Sequence, residues 1–283
     1  MAYEDIILRK EEGVATIIFN RPDSLNAIGG RMRENVLDAV QDVKTDKNIR
    51  VLVVTGAGKA FCAGGNLKEM ERLSVEVGLV ERREFVRNVA HKIVENIRGL
   101  EKPVIALVNG PAIGAGCNIA LACDLRIASE KARFGEGFIN MGLVSDYGGL
   151  YFLPRLVGPA KALELYFTGD VIDAKEAQRL GIVNKVAPHE EAERTTYELA
   201  NRIAKKSPLA LGMIKDILYK GLNMDMVTEL DLEANANSIC LKTEDHREGV
   251  RAFLEKREPV FKGSEEGHAP SWPGGGSRSV MAQ

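Results

Sequence analysis

The chain has 283 residues, 45% of them hydrophobic and 28% charged, with a formal net charge of −2 at pH 7. That length and composition belong to a globular protein able to bury a sizeable core, as one large α/β domain or a domain with an appendage. The near-neutral balance gives no sign of nucleic acid or an anionic membrane as the main partner, and no apolar run reaches the ~18 residues of a membrane span.

The start, MAYEDIILRK, carries no secretory pattern, so a cytoplasmic location is expected. Ile6 to Leu8 and Val14 to Phe19 flank Glu11-Glu12-Gly13 and predict a hairpin. Pro22 stops the second strand, and a polar loop runs on to Ala27. Met32, Val36, Leu37, Val40 and Val43 recur at helical spacing. Val51 to Thr55 is apolar on both faces, as a covered parallel strand requires. Lys68 to about Val80 shows no firm period apart from Leu67, Met70 and Leu73. Phe85, Val89, Ile93 and Ile97 then predict one amphipathic helix over residues 85–100, which carries His91. Val104 to Val108 is a second buried strand, followed by an apolar helix from Cys117 to Cys123. Ala160 to Phe167 and three stretches near 190–205, 209–220 and 224–242 are helical. From Gly263 the composition turns to Ser, Glu, Gly and Pro, the signature of a flexible tail. Cys62, Cys117, Cys123 and Cys240 show neither CxxC nor CxxH spacing, so they read as reduced, packed thiols and supply no metal site.

Both buried strands end in glycine-rich turns, Gly56 to Leu67 and Asn109 to Gly116. Small residues at a strand-to-helix switch let a ligand approach backbone N–H groups left free at a helix start. Two such turns can aim one N–H each at a single carbonyl oxygen, which suits an oxygen that becomes negative during reaction. Tight packing without chemistry is the plainer alternative for either turn alone.

Together, Phe61 to Lys68 and Val108 to Gly116 resemble the crotonase (enoyl-CoA hydratase/isomerase) superfamily. Asn20-Arg21-Pro22 through Asn26-Ala27, and the close from Asp245 to Arg257, extend the resemblance over residues 5 to about 262. It implies a crotonase-like spiral of ββα units, an α/β fold over residues 1–200. A C-terminal helical trimerisation region over 201–262 and the tail at 263–283 would follow. It implies an acyl-CoA thioester as partner, no cofactor beyond that coenzyme A, and a homotrimer or a dimer of trimers. The oxyanion donors are then the N–H groups of Gly65 and Ala115. Leu25, Ala27, Ala63, Asn66, Leu67, Lys68, Asn118, Phe138, Phe253 and Lys256 become candidate contacts to substrate or coenzyme A. Interface packing serves equally well for Phe253 and Lys256, and a solvated surface for Lys68. Asn66 stands where the family usually has aspartate, which implies altered hydrogen bonding without lost function.

Hydratases of the family use two glutamates, but those positions are Asn118 and Phe138 here. Paired carboxylates poise a water for addition, so hydration by that route is not expected. Asp146, in Gly142-Leu143-Val144-Ser145-Asp146-Tyr147-Gly148-Gly149, instead resembles the aspartate-using enoyl-CoA isomerase branch known from phenylacetate degradation. One carboxylate suffices to move a proton between C2 and C4 of a polarised thioester. Four readings follow: an isomerase using Asp146; a hydratase lacking the usual pair; a hydrolase or dehalogenase pairing Asp146 with His91; and a non-catalytic acyl-CoA or RNA-binding scaffold. Asp146 as a helix N-cap and Glu136 as a spare carboxylate, pocket-facing or on the surface, are the remaining options at this end of the chain.

Overall fold

A computed structural model describes residues 3–263. These residues form two compact units that divide between Lys206 and Ser207.

The first unit opens with the expected hairpin. Strands β1 (Ile6–Glu11) and β2 (Val14–Phe19) are antiparallel, and their turn places Glu12 and Gly13 at φ of 46° and 84°. Left-handed values at both turn residues match the right-handed strand twist, which is why glycine ends the turn. Helix α1 (Met32–Thr45) leads to β3 (Val51–Gly56), which pairs parallel with β2. Further strands β4 (Val104–Val108), β6 (Leu125–Ser129) and β9 (Lys185–Ala187) complete a six-stranded sheet, ordered β1-β2-β3-β4-β6-β9. A second sheet joins β5 (Pro111–Ile113), β7 (Arg133–Gly135) and β8 (Val171–Asp173) in the order β5-β7-β8.

Alternation along β3 and β4 divides the interior into two cores. Leu52, Val54, Val104, Ala106 and Val108 face the larger core, while Val51, Val53, Ile105 and Leu107 face the smaller one. Every residue of both strands is buried, as their continuous apolar runs require. The larger core also takes in residues of α4 (His91–Arg98), α5 (Ala115–Ala122), α6 (Gly149–Val157), α7 (Pro159–Thr168) and α8 (Ala174–Arg179). On the smaller core, α9 (Ala192–Ala204) contributes Ala192 and Ala200. Tyr197 on that helix hydrogen-bonds Thr16 of β2 at 2.7 Å, which satisfies two polar groups at the core edge.

Two stretches go beyond what their sequence patterns showed. The aperiodic stretch after Leu67 is helical: α2 (Leu67–Glu76) starts because the Asn66 side chain accepts the Glu69 N–H at 3.1 Å. The helix expected over 85–100 is present but starts earlier and is irregular: α3 (Leu79–Phe85), a π turn (Val86–Ala90) and α4 run on without interruption to Arg98. The wider turn rephases the apolar face, so Ile93 and Ile97 are buried while Phe85 is only partly covered.

The second unit is helical, with α10 (Pro208–Gly221), α11 (Met226–Leu241) and α12 (Glu244–Leu254). Asp225 and Thr243 cap the last two through their side-chain oxygens. After α12 the chain folds back: Arg257 grips Glu248 with two hydrogen bonds, and Asp245 accepts the N–H groups of Lys262 and Gly263. The segment read as a tail lies outside the described residues beyond Gly263. Among the described residues, no helix is long and apolar enough to cross a membrane.

Candidate active site

The two glycine turns are stapled to each other. Pro111 O accepts the N–H groups of Phe61 and Cys62, both at 3.1 Å, and Ile113 N–H donates to Cys62 O at 3.0 Å. The turns lie so close that a Cβ on Gly116 would stand 2.1 Å from Cys62 O. Only glycine fits there. Asn26 is fully buried and donates to Ala57 O and Ala60 O, while Asn109 holds Gly56 O and Gly58 O. Leu25 O and Ile28 O accept from Ala63 and Asn66, so the loop after β2 braces the first turn from outside.

This bracing leaves two donors free. The N–H groups of Gly65 and Ala115 find no acceptor among the described residues. Gly114, at φ 53°, turns the chain so that Ala115 opens α5, where the helix dipole adds to its N–H. Both residues line one cavity of about 200 Å³, together with Ala63, Leu67, Phe138 and Asp146.

Asp146 reaches the cavity from the loop between β7 and α6. Its Oδ1 is buried without a hydrogen-bond partner. Burial pushes the carboxyl up to about 6, against the pull of His91, Arg82 and Arg33. The loop is held from below by Asn118 of α5, which is wholly buried. Its Nδ2 donates to Ser145 Oγ at 3.1 Å and Asp146 O at 2.8 Å, and Ser145 Oγ donates to Glu136 Oε2 at 3.2 Å. Asn118 sits so tightly under α6 that a Cβ on Gly149 would come within 2.5 Å of its amide. On the other side Tyr147, at φ 50°, accepts from Arg33 Nε at 3.3 Å, and Arg33 also pairs with Glu69 at 3.1 Å.

The remaining sequence candidates separate. Asp146 is not an N-cap: α6 begins at Gly149, with Gly148 before it and no side-chain cap. Glu136 is not a surface residue and does not line the cavity; it is 2% exposed behind Ser145. Burial pushes its carboxyl up to about 8, although hydrogen bonds from Ser145, Cys117 and Asn118 oppose the rise. A carboxyl in that state is neutral near pH 7, which lets it sit inside the protein without a counter-ion. His91 is half-buried at the start of α4, close enough to act on Asp146 by charge but outside the cavity lining. Leu25 contributes its backbone, Ala27 is buried away from the cavity, and Asn66 caps α2. Lys68 is exposed on α2. Phe253 and Lys256 are exposed in the second unit. No group of three or more potential metal ligands occurs among the described residues.

The cavity walls that sequence reasoning missed include its polar ones, Arg33, Arg82 and Tyr147, and the ring of Phe85. Arg33 was legible as a cation beside the apolar face of α1, but nothing local said that it turns inward.

Residues 9–264 match the family model described as "Enoyl-CoA hydratase/isomerase". The chain is 42% identical over 262 residues to a crotonyl-CoA hydratase of Syntrophomonas wolfei, covering 92% of this chain and 99% of that protein. It is 35% identical to a 1,2-epoxyphenylacetyl-CoA isomerase of Escherichia coli, over 92% of this chain and 99% of the relative. Among solved structures, an enoyl-CoA hydratase from Bacillus anthracis superimposes with a TM-score of 0.87 at 35% identity, covering 92% of this chain and all of that one. These likenesses agree with the crotonase-type α/β architecture described above. By matched length, by identity and by fold, the chain belongs to the crotonase superfamily of enoyl-CoA hydratases/isomerases.

Proposed function

We propose that this enzyme shifts the double bond of an enoyl-CoA, with Asp146 carrying the proton. One observation bears most of the weight: a buried carboxylate oxygen without a partner opens on the same cavity as two free N–H donors. The thioester oxygen accepts from Gly65 and Ala115, which acidifies the protons at C2. Asp146 takes one of them, and the electron pair of the broken C2–H bond spreads over the thioester and the 3,4 double bond as a dienolate. The same carboxyl returns the proton at C4, leaving a 2-enoyl thioester and the starting aspartate. Proton count and charge are restored, so no cofactor is needed beyond the coenzyme A that the substrate carries. A carboxyl near 6 is ionised at neutral pH yet basic enough to accept a carbon-bound proton.

Asn118 and Phe138 support isomerisation over hydration. Asn118 spends its amide on the Asp146 loop, and Phe138 presents a ring to the cavity, so neither activates water. The C-terminal unit, with Phe253 and Lys256, belongs in the same reading as the part that assembles trimers and reaches coenzyme A.

The test is to mix the purified protein with a 3-enoyl-CoA and follow conjugation by absorbance and product mass. Conjugation at unchanged mass, lost in Asp146→Asn, is the expected result. A product heavier by one water makes the enzyme a hydratase, and release of free coenzyme A makes it a hydrolase using Asp146 and His91. Either result overturns the isomerase.

A further inference from the structure

The cavity that receives the acyl group holds an arginine that the mechanism does not use. Its walls are mostly apolar, among them Leu67, Met70, Phe85 and Val144, yet they include Arg33 and Arg82. The charge of Arg33 is already answered: it pairs with Glu69 and donates to the Tyr147 hydroxyl. Arg82 differs. Among the described residues it has no carboxylate within ion-pair distance and no hydrogen-bond acceptor, only the face of Phe85 at 5.7 Å from the ring centroid. Arg33 lies over the same ring at 5.3 Å, so one phenyl group holds both cations near the cavity.

The single carboxylate in the lining is Asp146. It does not serve Arg82 as an ion-pair partner, because no bond joins them and the Asp146 Oδ1 is unpartnered. A guanidinium among mostly apolar walls, which Asp146 meets only through charge and with no ion pair of its own, favours a ligand that brings a carboxylate to it.

We infer that the enzyme takes acyl-CoA thioesters whose acyl chain ends in a carboxylate, and that Arg82 receives that carboxylate. This rests on the enoyl-CoA reading of the cavity. Arg82 sits on α3, beside the π turn that displaces Phe85 from the core face, so the same irregularity places both the cation and its aromatic support. A charge-assisted contact of this kind discriminates by about tenfold or more against a neutral chain of equal length.

The probes are two saturated thioesters of the same length, adipoyl-CoA, which ends in a carboxylate, and hexanoyl-CoA, which does not. Their dissociation constants are measured by calorimetry on the full chain, for wild type, Arg82→Met and Arg82→Lys. The expected result is at least tenfold tighter binding of adipoyl-CoA to wild type, a ratio near one in R82M, and a partly retained preference in R82K. No wild-type preference, or one that R82M leaves intact, overturns the inference. Equal weakening of both ligands in R82M also overturns it, because Arg82 then serves the coenzyme A phosphates or the fold. Binding needs no chemistry, so the ratio survives even if Asp146 proves not to isomerise; the matching 3-enoyl thioesters report that failure separately.

Discussion

Replacing Asp146 by asparagine should abolish isomerisation and, at neutral pH, make the protein more stable. Burial pushes this carboxyl from 3.8 up to about 6, and at ~1.4 kcal/mol per unit the difference is on the order of 3 kcal/mol. The side chain keeps some solvent contact, so screening lowers the expectation to roughly 1–3 kcal/mol. The folded state holds the proton more tightly than the unfolded chain does. Wild-type stability therefore falls as pH rises from 3.8 through about 6, and the loss is complete above that. Asparagine does not titrate, so the advantage of D146N is absent near pH 4 and full at pH 7.5. Urea unfolding of both proteins at the two pH values measures it. A variant no more stable than wild type at pH 7.5, or equally favoured at pH 4, would refute the burial penalty assigned to this carboxyl.

The rate should follow the same group: kcat/KM for a 3-enoyl-CoA rises with pH through about 6 as Asp146 ionises, and a profile flat from pH 5 to 8 excludes it as the base. Gly116→Ala places a methyl 2.1 Å from Cys62 O and forces the two turns apart; kcat should fall by ~100-fold or more, with a smaller change in KM. Asn118→Asp replaces the amide that holds Ser145 and Asp146 with an acceptor beside Glu136. Thermal unfolding should register a loss of about 2–4 kcal/mol, and turnover a fall of ~100-fold from a displaced base. Asn66→Asp keeps the oxygen that caps α2 and should leave stability within about 0.5 kcal/mol, whereas Asn66→Ala costs about 1 kcal/mol by the same measurement.

Much of the site was legible because its logic is local. A glycine turn after a buried strand advertises itself through composition, and Gly65, Ala115 and Asp146 do share one cavity. The departure at position 66 implied altered local hydrogen bonding; asparagine instead offers a capping oxygen as aspartate would, and the Glu69 N–H donates to it at 3.1 Å. Glu136 was not legible. A glutamate between two glycines looks like a surface residue until β7 and the Asp146 loop close over it, and burial then sets its charge. Asn118 showed only what it lacks, a carboxylate. Its positive role, two hydrogen bonds to a loop 27 and 28 residues away, exists only in three dimensions.

The sequence by itself determined the first hairpin, the buried strands and the two glycine turns, because periodicity and glycine placement act over a few residues, and its motifs carried the family resemblance. Tertiary structure alone decided which charges enter the cavity. The π turn that re-aims α3 and α4, the inward turn of Arg33 and the unpaired state of Arg82 arise where separate segments meet. Packing there overrides the regular period, and a charge takes its meaning from neighbours distant in the chain.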